Sequence, residues 1–383
     1  MRGELDSYPD VSFIDGLMFD QFLDEMVQNY EKKYQELTGK EVKLAPAQPE
    51  RLILYAAAVM LYQGLQCVDR GGKNGLLKYS KGEYLDNLAA FKRTSRNPAS
   101  AARTILKFTL SKKQDFNVVI PAGTRAAVDD LFFATTEEMT IEAGQEMVEV
   151  LAVCLTDGEI GNGYGPGRIT TLVDPINYVQ RMENTTETSG GADEETDDAL
   201  AERIYLAPSG YSTAGPEDAY RYWMQSYSAA VKDCFITSEN PGEVDIYVML
   251  QDGQIPDSGQ LKEMQDYLEE GSRKPLTDKV VIKAPAVKEY EIDVTYYIED
   301  SDRGNETVIQ KQVEEACERY QEWQGEVIGR DLNPSQLTYL LVAAGASYVV
   351  VRSPVWTEIT DASISKATSV NLEYGGLKDA RTV

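Results

Sequence analysis

Apolar side chains near the start of the chain recur every three or four residues, the spacing of one face of an α-helix. Over residues 18–37 acidic and basic side chains fall mostly on the other face; the apolar positions are Phe19, Phe22, Leu23, Met26, Val27, Tyr30, Tyr34 and Leu37. The pattern predicts an amphipathic helix that ends at Gly39, because glycine suits the left-handed cap at a helix C-terminus.

A second apolar stretch predicts a helix from Pro49 to about Cys67, broken by Gly71 and Gly72. Residues 52–62 are apolar on every side, so this helix has to be surrounded by its own domain or by another chain. A weaker third helix is predicted over residues 76–88. We therefore expect residues 18–88 to be the main partner-binding region. The predicted partner-binding residues are Phe19, Phe22, Met26, Tyr30, Leu54, Val59 and Tyr62.

From about Arg103 the apolar period changes from three or four to two. Leu106, Phe108 and Leu110 alternate with polar residues, and further short strands are separated by turns that contain proline and glycine. This alternation predicts a small all-β domain that ends near Val173. Residues 184–198 are polar and acidic, and we expect them to form a flexible linker before a helix at 197–206.

The rest of the chain alternates strand and helix patterns, which predicts two small α+β units divided near Pro285. Strands are predicted over residues 231–237, 244–250, 280–284, 290–299 and 348–352. The predicted fold is thus α+β and multidomain. Its expected domains are a helical region (1–100), a β domain (101–183), a linker helix with the first α+β unit (184–285) and the second α+β unit (286–383).

Charge narrows the range of partners. With 63 acidic and 37 basic residues the formal net charge is −26, which disfavours binding to nucleic acid or to an anionic membrane. The first residues lack the basic and apolar segments of a signal peptide, and the longest apolar run is shorter than the roughly 20 residues that span a bilayer. We therefore expect a soluble protein that is made in the cytoplasm.

The chain has no histidine, which removes imidazole from any catalytic or metal site. An enzyme would have to use carboxylate, lysine, tyrosine or serine chemistry. The cysteines, Cys67, Cys154, Cys234 and Cys317, show no CxxC spacing, and we interpret them as buried free thiols. No cofactor is predicted.

Four short motifs have ordinary structural interpretations. Asp257-Ser258-Gly259 resembles an aspartic-protease triplet but fits a helix cap better. Residues 363–366 have the serine-xx-lysine spacing without the accompanying motifs. The glycines at 161–167 lack P-loop spacing, and the acids at 193–198 lack the ligand pattern of an EF-hand. None of the four predicts a catalytic or metal site.

Many short segments, taken together and in their order along the chain, resemble the baseplate J family of contractile phage tails and related injection particles. The matching stretches lie at residues 13–17, 46–54, 78–88, 120–124, 158–163, 190–193, 203–204, 212–216, 241–242, 273–278 and 374–377. Lys274 departs from the Arg-Pro-Leu-Thr-Asp form expected there.

The resemblance implies a structural wedge subunit of a tail baseplate rather than an enzyme. It implies that two copies join one smaller subunit of the tail protein I type, and that six wedges form a ring around the central hub. The ring contacts the sheath and changes shape when the tail fires. The implied location is the baseplate of a virion or of a tail-like particle. We expect residues 207–383 to make the ring contacts, with strands 290–299 and 348–352 as candidates for edge pairing.

Two alternatives stay open at this point. A carboxylate-based hydrolase of cell-wall glycans would need a pocket with convergent acids. A receptor-binding tail module would instead be expected to have a fibrous trimeric stem. The 23 tyrosines suit either a core or an interface and do not decide between these functions.

Overall fold

Two units make up the structure, a computed structural model that describes residues 3–212, 214–270 and 273–379. The first unit comprises residues 1–96 and 196–207, and the second comprises residues 97–195 and 208–383. Each unit therefore draws on two separate parts of the chain. The fold is α+β and multidomain, as predicted.

The first unit is helical. Its helices are α1 (Phe19–Thr38), α2 (Pro49–Asn74), α3 (Gly82–Phe91) and α4 (Asp197–Leu206). Helix α1 ends at Gly39 with a left-handed φ of 70°, which confirms the predicted cap. Helix α2 continues past Gly71 and Gly72, where the sequence predicted a break. Each glycine costs only about 1 kcal/mol relative to alanine, too little to end a long helix.

Helix α4 packs on α3, although more than a hundred residues separate them in sequence. Their shared core contains Leu85 and Ala89 of α3, Leu200 and Ile204 of α4, and Leu5. From the sequence, residues 197–206 were instead predicted to belong to the following α+β unit. The pattern of a ten-residue helix does not reveal which distant helix it packs against.

The second unit begins with a barrel-like β domain. Its strands are β1 (Ala101–Leu110), β2 (Val118–Ile120), β3 (Arg125–Val128), β4 (Leu131–Thr135), β5 (Met139–Ile141), β6 (Met147–Asp157), β7 (Thr171–Leu172) and β8 (Val179–Asn184). Six of them form one sheet in the order β7-β3-β4-β6-β1-β8, and its two edges approach each other in a nearly closed barrel. Strand β1 alternates strictly between half-buried and buried residues, as predicted, with Leu106 and Phe108 in the core.

Residues 184–195 pack against this barrel domain, so the expectation of a flexible linker there is wrong. The Asn184 amide donates to the carbonyl oxygens of Tyr164, Gly165 and Thr186. Ala192 exchanges backbone hydrogen bonds with Ser100. The polar residues of this stretch are thus used for local hydrogen bonds, which composition alone does not distinguish from solvation.

A three-stranded sheet follows in the second unit. It consists of β9 (Val231–Thr237), β10 (Glu243–Leu250) and β11 (Lys279–Lys283), in the order β11-β10-β9. Helices α5 (Glu217–Tyr227) and α6 (Ser258–Glu269) contribute Tyr220, Met224 and Met264 to its core.

Tyr220 fixes the loop that precedes β11. Its ring is 1% exposed and its hydroxyl donates to Asp278 Oδ2 at 2.6 Å. Burial, together with the Asp278 hydrogen bond, raises the pKa of the Tyr220 hydroxyl. Tyr220→Phe should therefore destabilise this sheet by about 1–2 kcal/mol. The measurement is urea unfolding followed by the fluorescence of Trp223, which lies on the same helix. Asp278→Asn keeps an acceptor and should cost less, and a Tyr220→Phe variant as stable as the wild type would contradict the expectation.

The last sheet has the order β13-β12-β14, with β12 (Ala286–Glu299), β13 (Tyr348–Ser353) and β14 (Ser363–Lys378). Helices α7 (Glu306–Gly325) and α8 (Pro334–Ala343) cover its apolar core. Residues 290–299 lie in the central strand, which pairs with β14 along its length and with β13 over residues 293–297, so they are wrong as a candidate for edge pairing. In the described chain the edges of this sheet are β13, as predicted, and β14, which the sequence analysis missed.

Candidate partner-binding site

Helices α1 and α2 are joined by aromatic contacts. The ring of Phe19 lies 5.7 Å from that of Tyr55 and 5.5 Å from that of Tyr62, and Phe22 lies 6.2 Å from Tyr62. The Tyr62 hydroxyl donates to the carbonyl of Leu17 at 2.9 Å. These contacts fix one side of α2 against α1.

The seven predicted partner-binding residues lie largely where α1 and α2 face each other. All of them are half-buried; they are Phe19, Phe22, Met26, Tyr30, Leu54, Val59 and Tyr62. The structure thus brings Phe19, Phe22 and Tyr62 together in contacts within one chain. Their role in binding another chain stays a prediction.

The opposite side of α2 is exposed and apolar. The exposed fractions are 68% for Ile53, 75% for Met60, 55% for Leu61 and 59% for Val68. We call the positions Ile53, Ala57, Met60, Gly64, Cys67 and Gly71 the outer stripe of α2; all of them are exposed except Ala57, which is half-buried. This surface was not predicted from the sequence, because residues 52–62 are apolar all round and do not distinguish one side of the helix. The alternation of four- and three-residue steps along the stripe was the signal that could have found it.

Hydrogen bonds and ion pairs fix the connection between α1 and α2. Glu31 accepts from Lys43 Nζ at 2.7 Å and from the backbone N–H of Leu44 at 2.8 Å. The Lys43 hydrogen bond, followed by the Leu44 N–H, lowers the pKa of the Glu31 carboxyl. Arg51 donates to the carbonyl of Leu44 at 2.9 Å. The helix pair is therefore held in place by polar contacts at this end, while the outer stripe stays free.

By length and composition alone α2 could also cross a membrane. It is the one helix in the described ranges that is both long and apolar enough, and only 6% of its most apolar window is buried. One such helix is weak evidence, because core helices of soluble proteins also meet this criterion. The surface that it exposes still has to be accounted for.

A cavity of about 710 Å³ in the second unit is the candidate pocket for the hydrolase alternative. Three bases and three acids line it, namely Lys232, Arg319, Lys366, Asp252, Glu322 and Glu326. Lys232 is paired with Glu326 at 2.9 Å. Glycoside hydrolysis needs two carboxylates that face one bond, and this mixed lining does not single out such a pair.

The short motifs have structural roles. Asp257 accepts from the backbone N–H groups of Gly259 and Gln260 and caps α6, which confirms the cap interpretation. Residues 363–366 lie in β14. Asp193 accepts from the backbone N–H of Glu159, and Asp197 binds Arg96. Over residues 3–212, 214–270 and 273–379 no cluster of three or more histidine, cysteine, aspartate or glutamate side chains could hold a metal.

Three of the four cysteines, Cys154, Cys234 and Cys317, are buried as predicted, whereas Cys67 is exposed on α2.

Comparison with known proteins identifies two domains. Residues 105–191 match the Baseplate J-like protein barrel domain, and residues 212–284 match the Baseplate J-like central domain. The first match falls on the barrel-like β domain, and the second on the three-stranded sheet with its helices.

Individual relatives are distant. The phage-like element PBSX protein XkdT of Bacillus subtilis (strain 168) is 25% identical over 221 residues, which is 56% of this chain and 58% of that protein. Baseplate protein J of Escherichia phage P2 is 26% identical over 197 residues, which is 51% of this chain and 62% of that protein. The chain thus matches less than two thirds of the length of each.

A solved structure, the 6-fold symmetrised cryo-EM structure of the anti-feeding prophage (AFP) baseplate, has a TM-score of 0.37 and 13% identity to this chain. The alignment covers 93% of this chain and 91% of that one. This likeness is too low to establish a shared fold. The two domain matches do not depend on it, and they show that the chain carries the barrel and central domains of the baseplate J-like family, at residues 105–191 and 212–284.

Proposed function

We propose that this protein is a structural subunit of the baseplate of a contractile phage tail or of a related tail-like particle. One observation carries the proposal: the barrel domain and the central domain of the baseplate J family occur in order on one chain, at residues 105–191 and 212–284. Within the baseplate we assign it the role of a wedge subunit that helps to pass the firing signal to the sheath.

The chemistry of the chain agrees with an assembly role. It has no histidine and a net charge of −26. Like-charged subunits repel one another until specific faces meet, which keeps free copies soluble. Catalysis is not part of the proposed role. Its test is whether the pure chain hydrolyses peptidoglycan, and cleavage that a single acid-to-amide variant abolishes would favour the hydrolase alternative.

The proposed partners are a second copy of this chain and a smaller subunit of the tail protein I type, in a two-to-one complex. Six such wedges would close a ring around the hub, with contacts to the sheath. The protein would be made in the bacterial cytoplasm and would function in the tail particle. We propose no partner among nucleic acids or membranes, and no cofactor.

Ring contacts are assigned to residues 207–383. The free edges of the last sheet support this assignment, since unpaired strand edges are ready to accept another strand. Strand β14 has 16 residues, and from Thr368 to Gly376 its one charged side chain is that of Glu373. A charge-poor edge of this length favours strand pairing with a neighbour.

The decisive experiment removes the gene from a strain that produces the particle. Electron microscopy and mass spectrometry of purified particles should then show no assembled baseplates, and a plasmid copy should restore them. The control is a strain that carries the same deletion and an empty plasmid. Intact baseplates without this chain would refute the proposed function. Native mass measurement of the co-expressed subunits tests the two-to-one ratio, and a one-to-one complex would contradict it.

A further inference from the structure

Two glycines in α2 have no explanation inside the chain. A Cβ added at Gly64 or at Gly71 would meet no atom within 4 Å. Gly72 differs, because a Cβ there would lie 2.5 Å from the ring of Phe13. Glycine inside a helix costs about 1 kcal/mol relative to alanine. At Gly64 and Gly71 no contact within the chain requires glycine. A contact with another molecule at this side of the helix would require it.

Large and small residues alternate along the outer stripe of α2. Ile53, Met60 and Cys67 are seven residues apart, and so are the small residues at 57, 64 and 71. A seven-residue repeat with two inward positions is the pattern of helices that pair side by side. Small residues at one of these positions let two helix backbones approach closely.

We infer that the outer stripe of α2 pairs with the same stripe of a second copy, in antiparallel orientation, about a two-fold axis near residue 62. In that arrangement Met60 faces Gly64 of the second copy, Ile53 faces Gly71, and Cys67 faces Ala57. Every large side chain meets a small one. A parallel pairing in register would place Met60 against Met60 and Gly64 against Gly64. Such an interface packs poorly, because the large pairs are crowded and the small pairs leave gaps.

Charge supports a second copy as the occupant. Residues 52–68 contain no charged side chain, in a chain whose net charge is −26. Two copies repel over most of their surface, so an uncharged face is where they can meet. Because the pairing is self-complementary, it forms an isologous contact that closes after two copies.

The size of the face also suits a dimer. A helix with the 26 residues of α2 is about 39 Å long. Specific interfaces bury at least about 1,200 Å², so the pairing has to use most of this length. The inference names the occupant of the partner-binding region and in that respect rests on the proposed function. Its tests use the purified full-length chain alone, without any particle.

Native Cys67 reports the orientation of the pair. In the antiparallel arrangement the two Cys67 residues are separated by ten residues of helix, about 15 Å, which is beyond the reach of a disulfide. Cys67 faces position 57 instead. The Ala57→Cys variant should therefore form a covalent dimer on mild oxidation, whereas the wild type should not. The matched control is Glu25→Cys, an exposed position on α1 that should stay monomeric on a denaturing gel. Covalent wild-type dimers through Cys67 would show parallel pairing and overturn the inference.

Gly64→Leu tests the close approach. Leucine is a better helix former than glycine, so the helix content of the variant should be unchanged or higher. Sedimentation equilibrium should nevertheless show a dimer dissociation constant at least about tenfold higher than that of the wild type. The reason is that a leucine at position 64 crowds Met60 of the second copy. Gln66→Leu is the control, since two residues along a helix point to different sides, and it should leave dimerisation unchanged.

Several results would overturn the pairing. They are a monomeric wild type at micromolar concentration, equal dimerisation of the Gly64→Leu variant, and binding of the chain to phosphatidylcholine vesicles in place of dimerisation. A monomeric chain that still enters particles would refute the pairing and leave the proposed function standing. A chain that dimerises as described but is not needed for baseplate assembly would refute the proposed function and leave the pairing standing.

Discussion

Replacing Phe133 by alanine should destabilise the barrel domain by about 3–5 kcal/mol. Phe133 is fully buried in β4, pairs with Cys154 across to β6, and has its ring 6.5 Å from that of Tyr164. Truncation removes its apolar contacts and leaves a cavity. The walls are strands held by their sheet hydrogen bonds, so they cannot collapse fully into it.

The neighbouring Phe132 provides the matched control. It is 41% exposed, so Phe132→Ala makes the same chemical change without a buried cavity and should cost less than about 1 kcal/mol. The three tryptophans are at 223, 323 and 356, outside the barrel domain. Hydrogen exchange of peptides from β1 and β6, followed by mass spectrometry, is therefore the measurement. Equal protection in the two variants would mean that Phe133 is not a core residue.

Replacing Arg203 by methionine should cost the helical unit about 2–4 kcal/mol, since buried acceptors lose a charged donor. Arg203 is 2% exposed on α4 and donates to Thr94 Oγ1 at 2.7 Å and to the carbonyl of Ser95. Methionine fills a similar volume, so the loss comes mainly from hydrogen bonding and not from packing.

Glu202→Met tests the same substituent at the exposed neighbouring position and should change stability by less than about 0.5 kcal/mol. Limited proteolysis is the readout. Cleavage within residues 92–96 and 196–207 should rise strongly for Arg203→Met and stay at the wild-type rate for Glu202→Met. Resistance of both variants to the protease would contradict the role given to Arg203.

Elements with a strong local pattern could be predicted from the sequence. Helix α1 follows from its apolar spacing and Gly39, and β1 follows from the alternation around Phe108. Strand β14 was missed because seven of its 16 residues are Ser, Thr, Asn or Gly, which are typical of turns. Its strand conformation depends on parallel pairing with β12, a long-range contact that no local window contains.

The candidate site was predicted by region but not by face. Residues 18–88 were expected to bind partners, and the exposed apolar side of α2 lies within that range. The seven chosen residues, however, are half-buried positions of α1 and α2, and Phe19, Phe22 and Tyr62 among them pack the two helices together. Hydrophobicity alone identified an apolar helix, whereas deciding which side stays free required the position of α1. Gly71 of the outer stripe was interpreted, together with Gly72, as a helix break, because the cost of glycine was considered without its possible use at a contact.

The packing of α4 on α3 has a consequence for proteolytic fragments. Because residues 196–207 belong to the helical unit, the chain passes between the two units at three places, after residues 96, 195 and 207. A single cut after residue 96 would release no free fragment, since the core of Leu85, Ala89, Leu200 and Ile204 holds the two pieces together. Such a nicked protein would migrate as one species under native conditions and as two only after denaturation. The helical unit is in this sense a split domain, and we expect that it can be reconstituted from two separate polypeptides.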